Sequence, residues 1–151
     1  MNIDKLDLQI LHQLMNDASV SYADLGKKLY VSAGTIHVRI KKLHEAGIIN
    51  HLQYGVDLKK LGYDVIAFMG IYLEKSSLYD TVAKELKKIP EIVRMNYTTG
   101  NYSIFIEVVC KDMTHLRTIL HDELQKIKGI ERTETFLSLE EGLNRQVNVS
   151  A

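Results

Sequence analysis

Val20-Ser21-Tyr22-Ala23-Asp24-Leu25-Gly26-Lys27-Lys28-Leu29-Tyr30-Val31-Ser32-Ala33-Gly34-Thr35-Ile36-His37-Val38-Arg39-Ile40 decides how the chain begins to fold. The stretch holds one pattern twice: an apolar residue, a capping hydroxyl, and a second apolar residue four positions after the cap. The two copies are Val20-Ser21 with Leu25 and Val31-Ser32 with Ile36, and a third stands upstream as Ile3-Asp4 with Leu8. In each, the cap side chain can accept from an orphan backbone N–H while the apolar pair clamps the helix entry. Asp7 and Asp24, at the third helical position, also favour the positive helix end. The pattern predicts a helix over residues 4–16 burying Leu8, Leu11, Leu14 and Met15, and a second over 21–29 burying Leu25 and Leu29. A third runs over residues 33–46, with Gly47 as its stop. Only Tyr30 and Val31 separate Leu29 from the cap Ser32, so the second and third helices form a helix-turn-helix spanning about residues 22–41.

Ile36, Ile40 and Leu43 share one face of the third helix at helical spacing. Gly34, Val38, Lys41 and Lys42 fall opposite, with Thr35, His37 and Arg39 flanking. From Leu25 to His44 the chain carries Lys27, Lys28, Arg39, Lys41 and Lys42, and no Asp or Glu occurs until Glu45. A recognition helix needs this arrangement: small residues near its start approach base edges, and cations further along meet phosphates. The candidate DNA contacts are therefore Ser32, Gly34, Thr35, His37 and Val38 toward the bases, and Arg39, Lys41 and Lys42 toward phosphates. An ordinary solvated basic face is the competing reading, and the capped helix pair with its two-residue turn favours DNA. His37 stays open between a phosphate contact and no role. Residues 48–57 read as two extended pieces forming a wing, with Lys59 and Lys60 beside the DNA backbone, so residues 1–60 are expected to be a winged helix-turn-helix domain.

The remainder alternates strand-like and helix-like runs. Residues 63–73 are apolar and β-branched, and 78–89 show helical spacing before Pro90. Residues 92–97 and 102–110 are strands flanking the hairpin signal Thr98-Thr99-Gly100-Asn101. Residues 113–127 read as a helix with Leu116, Ile119, Leu120, Leu124 and Ile127 inward, closed by Gly129, and residues 130–139 as the last strand. The order βαββαβ implies an α+β, ferredoxin-like second domain over residues 61–139, with a polar tail over 140–151. An antiparallel sheet with helices on one side leaves an open face and edges, which favours pairing between copies.

The 151 residues carry 19 basic and 19 acidic side chains, which argues against a protein that coats nucleic acid or anionic membrane throughout. From Leu61 onward acids outnumber bases, 13 to 11, so the two halves differ electrostatically. The acidic residues near the start exclude a signal peptide, and the apolar run at residues 65–73 is far short of the ~20 residues of a membrane helix. Cys110, the single cysteine, lies in an apolar run and fits a core position in a reducing cytosol. A cytoplasmic, nucleoid-associated protein is expected.

Val31-Ser32-Ala33-Gly34-Thr35-Ile36-His37-Val38-Arg39 followed by Ala46-Gly47-Ile48-Ile49 resembles the Lrp/AsnC family of feast/famine transcription regulators. Tyr97-Thr98-Thr99-Gly100-Asn101-Tyr102-Ser103-Ile104-Phe105-Ile106 is similar to the effector-binding loop of that family, and most like its asparagine-responsive branch. Leucine-responsive relatives mostly carry Gly-Asp-Tyr-Asp there, whereas Gly100-Asn101-Tyr102-Ser103 lacks both acids. The resemblance implies dimers through the second domain, larger disc-like assemblies, and an amino acid bound between dimers. It places the effector against Thr98, Thr99, Gly100, Asn101, Tyr102 and Ser103, with Thr133 and Thr135 approaching from a neighbouring dimer. A two-fold assembly implies a pseudo-palindromic promoter site on double-stranded DNA.

Catalysis has little support. The histidines at 12, 37, 44, 51, 115 and 121 form no i, i+4 pair and no HExxH cluster, so neither a metal nor a cofactor is expected. Ser103 has no identifiable base, and no catalytic residue is assigned. Two other classes compete with an effector-controlled regulator: an architectural DNA-binding protein that senses nothing, and a ligand-binding module attached to a metabolic enzyme.

Overall fold

The computed structural model describes residues 2–50 and 54–149. They form two compact units, one of residues up to 55 together with those from 143 onward, the other Val56–Gly142. Residues 56–60, read from sequence as the end of the first domain, thus go with the second unit, and most of the tail goes with the first.

The first unit contains α1 (Lys5–Asn16), α2 (Tyr22–Leu29) and α3 (Ala33–Glu45). All three expected caps are present: Asp4 accepts from the Asp7 N–H, Ser21 from that of Asp24, and Ser32 from that of Thr35. At α1 the Asp7 carboxylate also accepts from the Asp4 N–H at 3.1 Å, completing a reciprocal capping box. The core is Ile10, Leu25, Ile36, Ile40 and Leu43, with Leu6, Leu11, Leu14, Val20, Leu29, Val31 and Ile49 packed around it. This corrects the expectation for α1. Ile10 is its buried centre, Leu11 and Leu14 flank it, and Leu8 and Met15 lie off this core, only half-buried.

Val31 N–H donates to the Gly26 carbonyl at 2.9 Å, folding the turn back onto α2. A Cβ on Gly26 would stand 2.7 Å from the Val31 carbonyl oxygen, so this close approach requires glycine. Tyr30, which caps α2, has φ 57°, the left-handed region. The two extended pieces of a wing are not strands at residues 48–50 or 54–57, and the reading of residues 51–53 as wing lies outside the described residues.

The second unit opens with a 3-10 turn, Lys59–Leu61, and then runs β1 (Val65–Leu73), α4 (Tyr79–Leu86), β2 (Ile92–Tyr97), β3 (Ile104–Cys110), α5 (Met113–Thr118) and β4 (Ile130–Leu137). The sheet order is β2-β3-β1-β4 with every pairing antiparallel, the ferredoxin-like arrangement expected. One face carries Ala67, Met69 and Ile71 of β1 and Ile104, Ile106 and Val108 of β3, packed with Val82 and Leu86 of α4 and Leu116, Ile119 and Leu124. The other carries Phe68, Gly70 and Tyr72 of β1, in register with Phe136, Glu134 and Arg132 of β4. Residues 113–127 are not one regular helix: α5 gives way to a π-turn at Ile119–Glu123 and a 3-10 turn at Leu124–Lys126.

Candidate nucleic-acid interface and effector site

On α3 the buried side is Ile36, Ile40 and Leu43, which turns Ser32, Gly34, His37, Val38, Lys41 and Lys42 to solvent and leaves Thr35 partly covered. The Thr35 hydroxyl lies 2.9 Å from that of Ser32, whose oxygen accepts from the Thr35 N–H at 3.0 Å, so both belong to the cap that opens the helix. Lys41 has Glu45 at 3.9 Å as an ionic neighbour, and both side chains are well exposed, so the pair constrains little. His37 sits beside Tyr22 of α2 with ring centroids 5.8 Å apart. Tyr30, 95% exposed on the turn, adds a second aromatic hydroxyl next to the start of α3. Neither tyrosine carries charge or belongs to the apolar period, which is why the sequence reading passed them over.

Arg39 is placed differently from the other candidates. Its Nη1 donates to the Asp4 carboxylate and, at 3.0 Å, to Oδ1 of Asp7, which is only 1% exposed. Arg39 is therefore the counter-ion of the α1 cap, and its charge is satisfied within the unit. The Arg39 hydrogen bond, followed by that of the Asp7 backbone, holds the Asp4 carboxyl below its ordinary range. Lys41 and Lys42 remain the exposed cations of the face.

The hairpin between β2 and β3 is tightly organised. Thr98 N–H donates to the Ser103 carbonyl at 3.1 Å, the Thr98 hydroxyl donates to the Tyr102 carbonyl at 2.7 Å, and Ser103 N–H donates to the Ile71 carbonyl at 2.9 Å. Thr99, Gly100 and Asn101 are exposed at the tip. Gly100 has φ +102° and open space around its Cα, so its role is conformational. Tyr102 leaves the tip and lies along the sheet face opposite α4 and α5. Thr133 and Thr135 are in register with Ile71 and Met69, on the helix-covered face, and β1 and β3 stand between β4 and β2. Within one chain the six hairpin residues are brought together and the two threonines are not.

Cys110 is fully buried, and burial pushes its thiol up to about 11, which makes it a core residue rather than a nucleophile. No group of three or more His, Cys, Asp or Glu among the described residues could hold a metal ion. No helix among them is long and apolar enough to cross a membrane. A cleft of about 1050 Å³ between α1 and residues 143–148, and one of about 400 Å³ between α4 and the end of the α5 region, contain no hairpin residue.

A capped helix-turn-helix with a cationic outer face, joined to a ferredoxin-like unit that exposes a polar glycine hairpin, defines a DNA-binding transcription regulator with a ligand-binding domain. Residues 3–44 match the AsnC-type helix-turn-helix domain and residues 66–147 the Lrp/AsnC ligand binding domain. The chain belongs to the Lrp/AsnC family. It is 42% identical to Regulatory protein AsnC of Haemophilus influenzae, covering 97% of both chains, and 42% identical to that of Escherichia coli K12, covering 96% of this chain and 95% of the relative. The solved structure of Escherichia coli AsnC superposes with a TM-score of 0.94 at 40% identity, covering 98% of this chain and 99% of that one.

Proposed function

We propose that this regulator binds pseudo-palindromic promoter DNA through α3, as a dimer or larger assembly of the same chain, and that a small neutral amino acid, asparagine in particular, controls its DNA binding from the hairpin at residues 98–103. One observation carries the effector assignment: the tip combines Gly100 in the left-handed region with uncharged polar side chains only. An amino acid brings an α-carboxylate, an α-ammonium and a side chain. Backbone N–H groups beside Gly100 suit the first, and the oxygens of Thr98, Thr99 and Asn101 suit the second. With Asn101 and Ser103 where acids could stand, a neutral amide is better matched than a lysine ammonium. A protein of the same fold, 20% identical, was solved as a complex with L-methionine.

On DNA, Ser32, Gly34, Thr35, His37 and Val38 lie nearest the bases, with the Val38 methyls packing on a thymine methyl, while Lys41 and Lys42 meet phosphates. Arg39 acts indirectly, by fixing α1 against α3. Association uses the sheet face of Phe68, Phe105, Tyr102 and Phe136, aromatic surface that no helix of the unit covers. Thr133 and Thr135 reach an effector only from a neighbouring copy. The protein works in the cytoplasm, on the nucleoid, without catalysis of its own.

Calorimetry of the intact chain tests the effector site. Asparagine should give saturable heat and lysine none, and Thr98→Val should weaken asparagine at least about tenfold by removing a hydroxyl from the tip. Gly100→Val is a poorer probe, because any side chain is strained at that φ. Absence of saturable heat with asparagine, or an unaltered Thr98→Val, contradicts the assignment.

A further inference from the structure

Tyr102 belongs to the candidate effector hairpin, yet its side chain reaches across β1 to the edge strand β4. The ring passes directly over Gly70 of β1, where a Cβ would stand 2.3 Å from a ring carbon, so no other residue at 70 leaves room for it. Its hydroxyl donates to Oε2 of Glu134 on β4 at 2.7 Å. The other oxygen, Oε1, accepts from the Tyr72 hydroxyl at 3.0 Å and from Nη1 of Arg132 at 3.2 Å. Arg132 in turn lies 3.7 Å from the Tyr72 ring centroid, and the Tyr102 ring meets those of Tyr72 and Phe136 edge-on at 5.1 and 6.4 Å. Both carboxylate oxygens are thus engaged, and the slot that admits the ring is built into β1. The Glu134 hydrogen bond and burial push the Tyr102 phenol up to about 12, and the same two phenols hold the Glu134 carboxyl below its ordinary range.

We propose that Glu134 is a positioning residue that fixes the hairpin through Tyr102, so that the tip at residues 98–103 and the edge strand β4 are mechanically one element. This deepens, and rests on, the reading of those residues as the effector site. A ligand that shifts the backbone of Tyr102 must either carry Glu134 with it or break a charged hydrogen bond. Either change alters the polar centre of the aromatic face on which a second copy packs. Effector occupancy is thereby transmitted to assembly without any contact between ligand and partner at that face.

Amide hydrogen exchange on the full chain tests the link, because the Thr98 N–H closes the hairpin onto the Ser103 carbonyl and the Ser103 N–H ties it to the Ile71 carbonyl of β1. The proteins compared are the wild type, Tyr102→Phe, Glu134→Gln and the double variant, at a concentration where sedimentation gives all of them the same mass. Each single change should speed exchange of these two amides about tenfold, the loss expected for a hydrogen bond to a charged group, and the double change should be no faster than either. Glu107→Gln, which removes a carboxylate from the same face beside Arg94, and Arg132→Gln, which removes the cationic partner of Glu134 and leaves its two phenols, should stay within about twofold of the wild type. The proposal is overturned if a single variant matches the wild type, if the two effects multiply, or if Arg132→Gln is as fast as Glu134→Gln. Adding L-asparagine to the same wild-type sample separates the two ideas. No response at residues 98–103 counts against the effector reading alone, whereas the link stands or falls on the variants.

Discussion

Arg39 and Lys41 lie two residues apart on one basic helix, and their surroundings give them different work. Arg39 neutralises a nearly fully buried Asp7 and the exposed Asp4 of the α1 cap, while Lys41 faces solvent beside a loosely held Glu45. Arg39→Leu leaves the Asp7 carboxylate without its cation and should lower folding stability by about 1–3 kcal/mol, with little change in the salt dependence of DNA binding. Lys41→Ala should do the reverse, leaving the urea midpoint nearly in place and lowering the salt slope by about one unit. Paired urea melts and DNA titrations at several salt concentrations check both. A salt slope that falls for Arg39→Leu would return that residue to the phosphate contacts. Because the Asp4 carboxyl is held below its ordinary value, the stability it contributes is present above about pH 4 and is lost as pH falls through its lowered value. None of this pairing was legible in the sequence. An arginine on a basic helix reads as a phosphate ligand until its partners, 32 and 35 residues away, are brought beside it.

Elements were more legible than their interiors. All three N-caps of the first unit stand where the apolar-cap-apolar pattern put them, because a cap depends only on residues within one turn. On α1, Leu8 and Met15 lie off the core because Leu6, Ile10 and Leu14, flanked by Leu11, form the apolar stripe that packs inward. The side chosen by the fold also holds Asp7, an acid that periodicity counts as outward. The π-turn of the α5 region was equally hidden: its wider turn separates the buried Ile119 and Leu124 by five residues and keeps Leu124 on the core side. Gly26 is a further position where composition says little and geometry decides. Gly26→Ala would drive a methyl against the Val31 carbonyl, so it should destabilise the first unit by roughly 1–3 kcal/mol and weaken DNA binding with it. Thermal melts and DNA titration of that variant check this, and a protein as stable as the wild type would mean that the turn relaxes without cost.

At the scale of the whole molecule, the order of elements and the sheet topology followed from alternating periodicities, and the hairpin from a single glycine. What joins hairpin to edge strand did not, since the slot over Gly70 and the Glu134 contact exist only once four strands are aligned. The sheet leaves one aromatic face without a helix, and the hairpin proposed to take the effector is tied into that face through Tyr102, so the proposal couples ligand, assembly and DNA affinity. The most direct measurement is titration of a fluorescent promoter fragment with the intact protein at fixed salt, with and without saturating L-asparagine, with L-lysine as comparison. The account predicts that asparagine shifts the apparent Kd at least about fivefold and saturably, as a coupling of about 1 kcal/mol requires, while lysine leaves it in place. An affinity indifferent to asparagine and to every other amino acid tried would contradict it and leave a DNA-binding protein that does not sense them.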